Sequence, residues 1–430
     1  MSRNLLFLVV LIIIYKEGGD VLLQAMTEKG ESIIPALFSK TQLEQLKTQH
    51  TFWCPSCKQE VVLKIGQQIM PHFAHKQLQQ CVLQKGEGTY HETGKILLYQ
   101  WLKSQGLEVY LEKWMPSIKR TPDLTIKLGG KEIVLEYQCA RIDIKTLQTR
   151  MNDYKQANLA QLWILGGNRL KRKQNGDLIL DEFTKQCIHH FKDYAPQLYY
   201  FCSIQKQFIV YPHILPAMHH QNSTLPVIRS LRSFTFIELL NQAKLSIHAQ
   251  FSLWNRKKYM FRTRPSRKLF GAELTYRTWL YEQNLHIEKL PSLIYLPIST
   301  QYKMKTNPWN WQSRIIISLF LHKPKYTLFT LKQCHLLLKT HFVKHLSPIH
   351  LDQTSPVEEY LMLLERLGYV KRKAKNQFQI LKRIEMYQNV EESVKGDAIW
   401  LKNALQQLNL REKAKHEHGR SKIRYTKTID

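Results

Sequence analysis

The tract PDLTIKLGGKEIVLEYQ, residues 122–138, carries two carboxylates on two alternating apolar runs joined by Gly129-Gly130. A two-glycine loop accepts the positive φ that a tight hairpin demands at both positions. With that loop Leu128 faces Lys131, and pairing outward sets Asp123 opposite Glu136, with Gln138 on the face of Glu136. Leu124, Ile126, Leu128, Ile133, Leu135 and Tyr137 make the other face an apolar surface for a helix to cover. Two opposed carboxylates repel, and a sheet does not choose that arrangement without a cation between them. A divalent ion such as Mg2+ or Mn2+, held by Asp123 and Glu136 with water or phosphate oxygens, supplies the missing charge. It can also orient a water for in-line attack on a phosphodiester. The competing reading has Asp123 capping a turn after Pro122 and Glu136 as a solvated strand residue.

A second constellation lies upstream. Cys54-Pro-Ser-Cys57 is followed by His72-Phe-Ala-His75, and thiolate with imidazole suits tetrahedral Zn2+. The spacing of His72 and His75 is shorter than in a zinc-finger helix, which leaves Cys81 as an alternative fourth ligand. A module this small, with few apolar residues, needs such a structural staple. The alternative is a pair of buried thiols with a packed histidine.

Positioning these groups takes helices and a further strand. Thr89 to Lys103 reads as an amphipathic helix ending before Gly106, Ile144 to Tyr154 as a second, and LWILGG (162–167) as a short buried strand. Glu87, His91 and Lys95 recur at four-residue spacing and so share one helix face near the hairpin. Arg150 and Tyr154 share a face of the second helix, suited either to phosphate or to solvent.

These motifs, in this order, resemble the competence protein CoiA family over residues 22 to about 170: CPSC, HFAH, the helix with His91 and Lys95, RTPDLTI, VLEYQ, Arg150-x-x-x-Tyr154 and LWILGG. Pro122-Asp123 with Glu136-Tyr137-Gln138 is similar to the PD-(D/E)XK nuclease signature. The resemblance implies an α/β, restriction-endonuclease-like core acting on DNA in recombination during natural transformation. It also implies that a helix carboxylate completes the metal site, for which Glu87 is the candidate; a flexible surface residue between Gly86 and Gly88 is the alternative. One position departs: Gln138 stands where that superfamily usually has lysine. Glutamine can orient a water by hydrogen bonds but cannot polarise it by charge. A non-catalytic DNA-binding accessory factor therefore stands as the rival, and a membrane-surface protein as a third reading.

Composition agrees with a polyanionic partner. The 430 residues hold 63 Lys+Arg against 34 Asp+Glu, a formal net charge of +29, which draws the chain to phosphate through counterion release. Seven scattered cysteines exclude a disulfide framework and fit the cytoplasm. The length suggests a zinc-stapled β module over 22–85, a nuclease-like domain over 86–200, and a mainly helical basic region over 201–430. In the last, Arg256, Lys257, Lys258, Arg262, Arg264, Arg267 and Lys268 interleave with Trp254, Tyr259 and Phe261. Cations beside rings form a single-strand-binding pattern, unless the rings belong to the core. Ser355-Pro356-Val357-Glu358 reads as a capping box opening a helix, followed by a hairpin around Lys371-Arg372-Lys373; together they suggest a winged-helix-like unit over 355–383. The partners expected are single-stranded or branched DNA and recombination proteins, with no small-molecule substrate.

Residues 1–21 include an apolar run, Leu5 to Ile14, too short to span a bilayer. Lys16-Glu17-Gly18-Gly19-Asp20 matches a purine-rich ribosome-binding site translated in frame, with the native start at Val21 or Leu22. A short apolar anchor is the alternative, and N-terminal mass analysis of the native protein separates the two.

Overall fold

The computed structural model of the protein describes residues 22–66, 70–76, 88–174, 176–191, 195–214, 221–222, 225–241, 247–264 and 269–406. The apolar stretch before residue 22, Cys81, Glu87, Arg267 and Lys268 lie outside the described residues. Among the described residues, no helix is long and apolar enough to cross a membrane.

The first strands are short because turn residues interrupt the sequence every few positions. β1 (Ala25–Thr27), β2 (Ser32–Ile33), β3 (Phe52–Trp53), β4 (Glu60–Lys64) and β5 (His72–His75) form a sheet of order β2-β1-β3-β4-β5. Helix α1 (Lys40–Gln49) starts at a reciprocal capping box between Ser39 and Gln42. The core here is small, built on Leu43, Phe52, Val61, Leu63 and Phe73.

The central sheet has seven strands, each beside its neighbour in sequence: β6 (Glu108–Leu111), β7 (Leu124–Leu128), β8 (Lys131–Gln138), β9 (Ala160–Gly166), β10 (Leu198–Cys202), β11 (Gln207–Tyr211) and β12 (Val227–Ser230). β6, β7 and β8 are antiparallel, whereas β8, β9 and β10 run parallel. The β7–β8 hairpin has the expected register, Leu128 to Lys131 and Leu124 to Leu135, with both loop glycines at positive φ (57° and 74°). Helix α2 (Thr89–Lys103) covers the face of Leu124, Ile126, Leu135 and Tyr137 with Ile96, Leu98 and Leu102. It lies so close that a Cβ on Gly94 would fall 2.0 Å from the Tyr137 ring, so any larger residue there would push the helix off the sheet. Helix α3 (Ile144–Gln156), capped by Asp143, buries Leu147, Met151 and Tyr154. The sheet continues past residue 200, where a mainly helical region was expected. LYYFC and QFIVY are continuous apolar runs, and such runs show no period that separates a buried strand from a helix.

Beyond it come α4 (Ile247–Thr263), α5 (Gly271–Glu282), α6 (Pro308–Leu319), β13 (Leu328–Thr330), α7 (Leu331–Leu337), α8 (Pro356–Arg366), β14 (Val370–Ala374) and β15 (Gln377–Ile380). The last three strands form a sheet of order β13-β15-β14. Ser355 caps α8 through the Val357 amide; Glu358 does not close a capping box but pairs with Arg372 at 3.1 Å. The chain divides into two compact units, one of 1–170, 199–210 and 227–242, the other of 171–198, 211–226 and 243–430.

Candidate functional site

Register across the central sheet brings three carboxylates together. Leu111 pairs with Leu124 and Leu124 with Leu135, so Glu112, just past β6 at φ 47°, Asp123, just before β7, and Glu136, on β8, gather where the three-strand ladder ends. The Glu112 amide donates to the Asp123 carbonyl at 3.0 Å, which ties the group at its open end. On β9 the residue next in line is Trp163.

Asp123 is gripped from two directions. Its Oδ2 accepts the Tyr137 amide at 2.8 Å, and its Oδ1 lies 3.4 Å from His91 Nε2. The His91 ring stacks on Tyr137. Lys95, one helical turn on, puts its Nζ 2.6 Å from Glu112, 2.9 Å from Glu92 and 4.0 Å from Asp123. His91, Glu92 and Lys95 are buried. Burial alone would raise the Asp123 carboxyl, but His91, by charge and hydrogen bond, with Lys95 and Arg150 beyond, holds it well below the usual carboxylate range. Burial pushes the Glu92 carboxyl up against the pull of Lys95. Burial also opposes the charge of Lys95, yet Glu112, Glu92 and Asp123 outweigh it and hold the ammonium well above the usual lysine range.

Glu136, buried on β8, is held from α3. Arg150 Nη2 donates to its Oε2 at 2.6 Å, and the Tyr154 hydroxyl donates to its Oε1. Arg150 also lies over the Trp163 ring, 5.6 Å from its centroid. Gln138 is buried and gives its Nε2 to the Ala140 carbonyl at 2.9 Å.

Several expected roles change with this geometry. Tyr154 is fully buried and cannot meet a phosphate; with Arg150 it positions Glu136 instead, because the helix face that they share turns inward. The β7–β8 ladder ends at Leu124 with Leu135, one residue short of Asp123 and Glu136, and the partners of Asp123 lie on α2 and on the Tyr137 amide whereas those of Glu136 lie on α3. Glu92 and Glu112 escaped the sequence reading. Glu92 is three residues before Lys95, and Glu112 falls opposite Asp123 once β6 is paired with β7; that pairing was the signal available.

The cysteine knuckle also forms. Cys54, Cys57 and His75 have ligand atoms within 4.8 Å of one another, the one group of three or more such side chains among the described residues. The Cys57 Sγ lies 3.3 Å from His75 Nε2. Lys58 follows at φ 61°, closing the turn that returns the chain into β4. His72 does not join: it shares β5 with His75 at a spacing of three, so the two face opposite ways, and its Nδ1 lies 3.0 Å from the Met70 carbonyl.

As far as Thr263 the basic aromatic tract lies on helix α4, whose period buries Trp254, Lys258, Phe261 and Arg262 together. Lys258 donates to the carbonyls of Ser292 and Ile294 at 2.5 and 2.7 Å, and Arg262 binds Asp397 through two nitrogens at 3.0 and 3.1 Å. Lys257 pairs with Asp177 at 2.6 Å. These three cations serve the fold and are not a nucleic-acid stripe; Arg256, Tyr259 and Arg264 remain exposed. Lys371, Arg372 and Lys373 sit on β14, with the two lysines exposed and Arg372 turned to α8.

Comparison with known proteins assigns the region that holds these residues to a family domain. The family described as competence protein CoiA, nuclease-like domain, matches residues 87–244, which hold the whole carboxylate group. The competence protein CoiA N-terminal and C-terminal domains match residues 36–84 and 249–394. Competence protein CoiA of Bacillus subtilis (strain 168) is 32% identical over 281 residues, covering 64% of this chain and 74% of the relative. The chain belongs to the competence protein CoiA family. Within the nuclease-like domain of this CoiA-family chain lie α2, all seven sheet strands and α3; the N-terminal domain match takes in the Cys54, Cys57 and His75 group.

Proposed function

We propose that this chain processes DNA in the recombination that accompanies natural competence, and that its nuclease-like domain is a PD-(D/E)XK-type, divalent-metal-dependent deoxyribonuclease. The observation that carries the reading is the gathering of Glu112, Asp123 and Glu136 at the end of the β6–β7–β8 ladder, with Glu92 beside Lys95 and with His91, Lys95 and Arg150 opposing the negative charge. The element order α2, β6, β7, β8, α3, β9 supports the same core. The donors suit a hard cation, since they are carboxylate oxygens, and a carboxylate offers about four lone-pair sites, so Glu136 keeps acceptor capacity beside Arg150 and Tyr154. Mg2+ or Mn2+ bound by Asp123 and Glu136 would neutralise charge on the phosphate and acidify a water.

The chain's own side chains do the positioning. The Tyr137 amide and His91 fix Asp123, and Arg150 and Tyr154 fix Glu136. Gln138 is turned to Ala140, and Lys95, from α2, brings the positive charge that the signature lysine would have supplied. We assign Lys95 the water-orienting role. Structural zinc is assigned to Cys54, Cys57 and His75, whose soft donors suit it; metal analysis of purified protein, with Cys57→Ser as control, tests this.

Cleavage of labelled single-stranded, duplex and branched DNA with Mg2+ or Mn2+ is the test, with binding measured in the same samples. Cutting falls at least ~10²-fold in Asp123→Ala and Glu136→Ala while binding is kept. The rival reading, a DNA-holding factor that does not cut, is favoured by the engagement of both Glu136 oxygens and of Gln138 with protein donors and acceptors. Tight binding with no cutting on any substrate would establish it and remove the enzyme assignment.

A further inference from the structure

We propose that residues 308–380 form a winged-helix unit that grips the phosphate backbone of nucleic acid with its hairpin and not with its third helix. The elements run α6, β13, α7, α8, β14, β15, and the first strand pairs with the third, which pairs with the second. That connectivity closes three helices with a β wing. The sequence alone exposed only α8 and the hairpin; β13, which completes the sheet, is three residues long and follows a helix without any alternating run.

In helix-turn-helix proteins the recognition helix enters the major groove with its outward side chains. Here α8 would hold that place, and its chemistry is wrong for it. Val357, Tyr360, Leu361 and Leu364 are buried in the core. Glu359 is used up by Ser299 and Thr300, whose amides and hydroxyls donate to it. Of the positions outside the core, Glu358 and Glu365 are half-buried and Arg366, in the last turn, is the exposed one, so a phosphate-lined groove would meet two carboxylates and a single cation at the far end of the helix. Both carboxylates turn toward the hairpin instead: Glu358 pairs with the Arg372 guanidinium at 3.1 Å, and Glu365 accepts the Arg372 amide at 2.7 Å. Arg372 also lies over the Phe378 ring, 5.1 Å from its centroid. The acids of α8 thus brace the wing.

The braced wing presents lysines. Lys371, Lys373 and Lys375 are exposed, and strand alternation turns Lys371 away from the face on which Arg372 is anchored. A bulge between Arg372 and Ala374 leaves Lys373 as the extra residue of its strand. The Leu331 amide donates to the Asn376 carbonyl at 3.0 Å, which sets the first turn of α7, with exposed Lys332, beside the hairpin tip. Among the described residues, the ion pair of this hairpin is that of Arg372, so the lysine charges are not spent on protein carboxylates. Cations on a rigid loop, with no base-reading helix behind them, fit phosphates without sequence preference.

Fluorescence anisotropy of the full chain on duplex and single-stranded DNA, across a salt series with no divalent metal added, tests this separately from any cutting. Each phosphate neutralised contributes about 0.9 to the slope of log affinity against log salt on duplex DNA. The triple variant Lys371→Ala, Lys373→Ala, Lys375→Ala is expected to lose at least tenfold in affinity near physiological salt and to flatten the slope by about 2–3. The triple lysine-to-arginine variant keeps both. An alanine variant with unchanged affinity and slope overturns the proposal, and leaves the unit as a protein–protein element. A loss of affinity at unchanged slope, or an arginine variant as weak as the alanine one with an unaltered melting curve, overturns it too.

Discussion

Lys95 and Lys258 are both buried in helices, and their environments push them in opposite directions. Around Lys95 stand Glu112, Glu92 and Asp123, which hold its charge in place against burial. Around Lys258, burial dominates, Asp397 is shared with Arg262, and the ammonium is lowered to about 7. Its remaining partners are the carbonyls of Ser292 and Ile294, which solvate without adding charge. Burial is common to both sites; the sign of the surplus is not. A structural site trims its charge until little is left over, whereas the site on the central sheet keeps more carboxylate than its own cations can balance. Such a surplus is costly in a low-dielectric interior, and on the function proposed above a divalent cation would offset it.

The largest effect follows from removing the cation where the surplus lies. Lys95→Met should leave Glu92, Glu112 and Asp123 facing one another in the interior, at a cost of about 3–5 kcal/mol in urea denaturation at neutral pH. Millimolar Mg2+ or Mn2+ should return a large part of that loss in the variant and little in the wild type. Metal that returned nothing would break the link between the carboxylate surplus and a divalent ion. The pH dependence has a definite sign. A lysine held above its unfolded value stabilises fully below about pH 10.4 and loses that contribution as pH rises through the folded value. The variant should therefore lack this alkaline loss.

Lys258→Met should cost less, about 1–2 kcal/mol, because it forfeits two carbonyl hydrogen bonds but a charge already half discharged near neutral pH. With a folded value of about 7 and an unfolded value of about 10.4, the unfolded chain binds more protons between these limits. Stability should then rise with pH from 7 toward 10 in the wild type and stay flatter in Lys258→Met, read from urea midpoints by tryptophan fluorescence. Equal costs for the two substitutions would erase the contrast between the sites.

What the sequence disclosed follows the same division. The β7–β8 hairpin was legible because Gly129-Gly130 fixes a register, and a register fixes which residues oppose. The α2 helix was legible from its apolar period, as was the knuckle from Cys54 and Cys57. The residues that surround Asp123 were harder. Glu112 enters through the pairing of β6 with β7, across a connection of twelve residues that carries no tight-turn signal. The duty of Arg150 and Tyr154 toward Glu136 depends on α3 packing onto the sheet, which helical spacing alone leaves open to either face. On α4, charge and ring content suggested a binding stripe because composition does not say which side of a helix is inward. Asp397, which settles that question for Arg262, is 135 residues away.

The smallest effect sharpens the comparison from outside. Arg256 lies on α4, two residues before Lys258, but its side chain is exposed where that of Lys258 is buried. Arg256→Ala should change stability by less than about 0.5 kcal/mol, since no desolvated partner is abandoned. If exposed cations of α4 contribute to DNA affinity at all, they do so one phosphate at a time, so the salt slope should fall by no more than about 0.9. A helix with Arg256 and Lys258 so near in sequence then separates the two uses of positive charge. The inward one is tied to Asp397 and the carbonyls of Ser292 and Ile294, and its loss appears in unfolding. The outward one is free for solvent and phosphate, and its loss appears only in the salt dependence of binding. A stability loss for Arg256→Ala approaching that of Lys258→Met would mean that side-chain exposure does not divide the charges of this helix in that way.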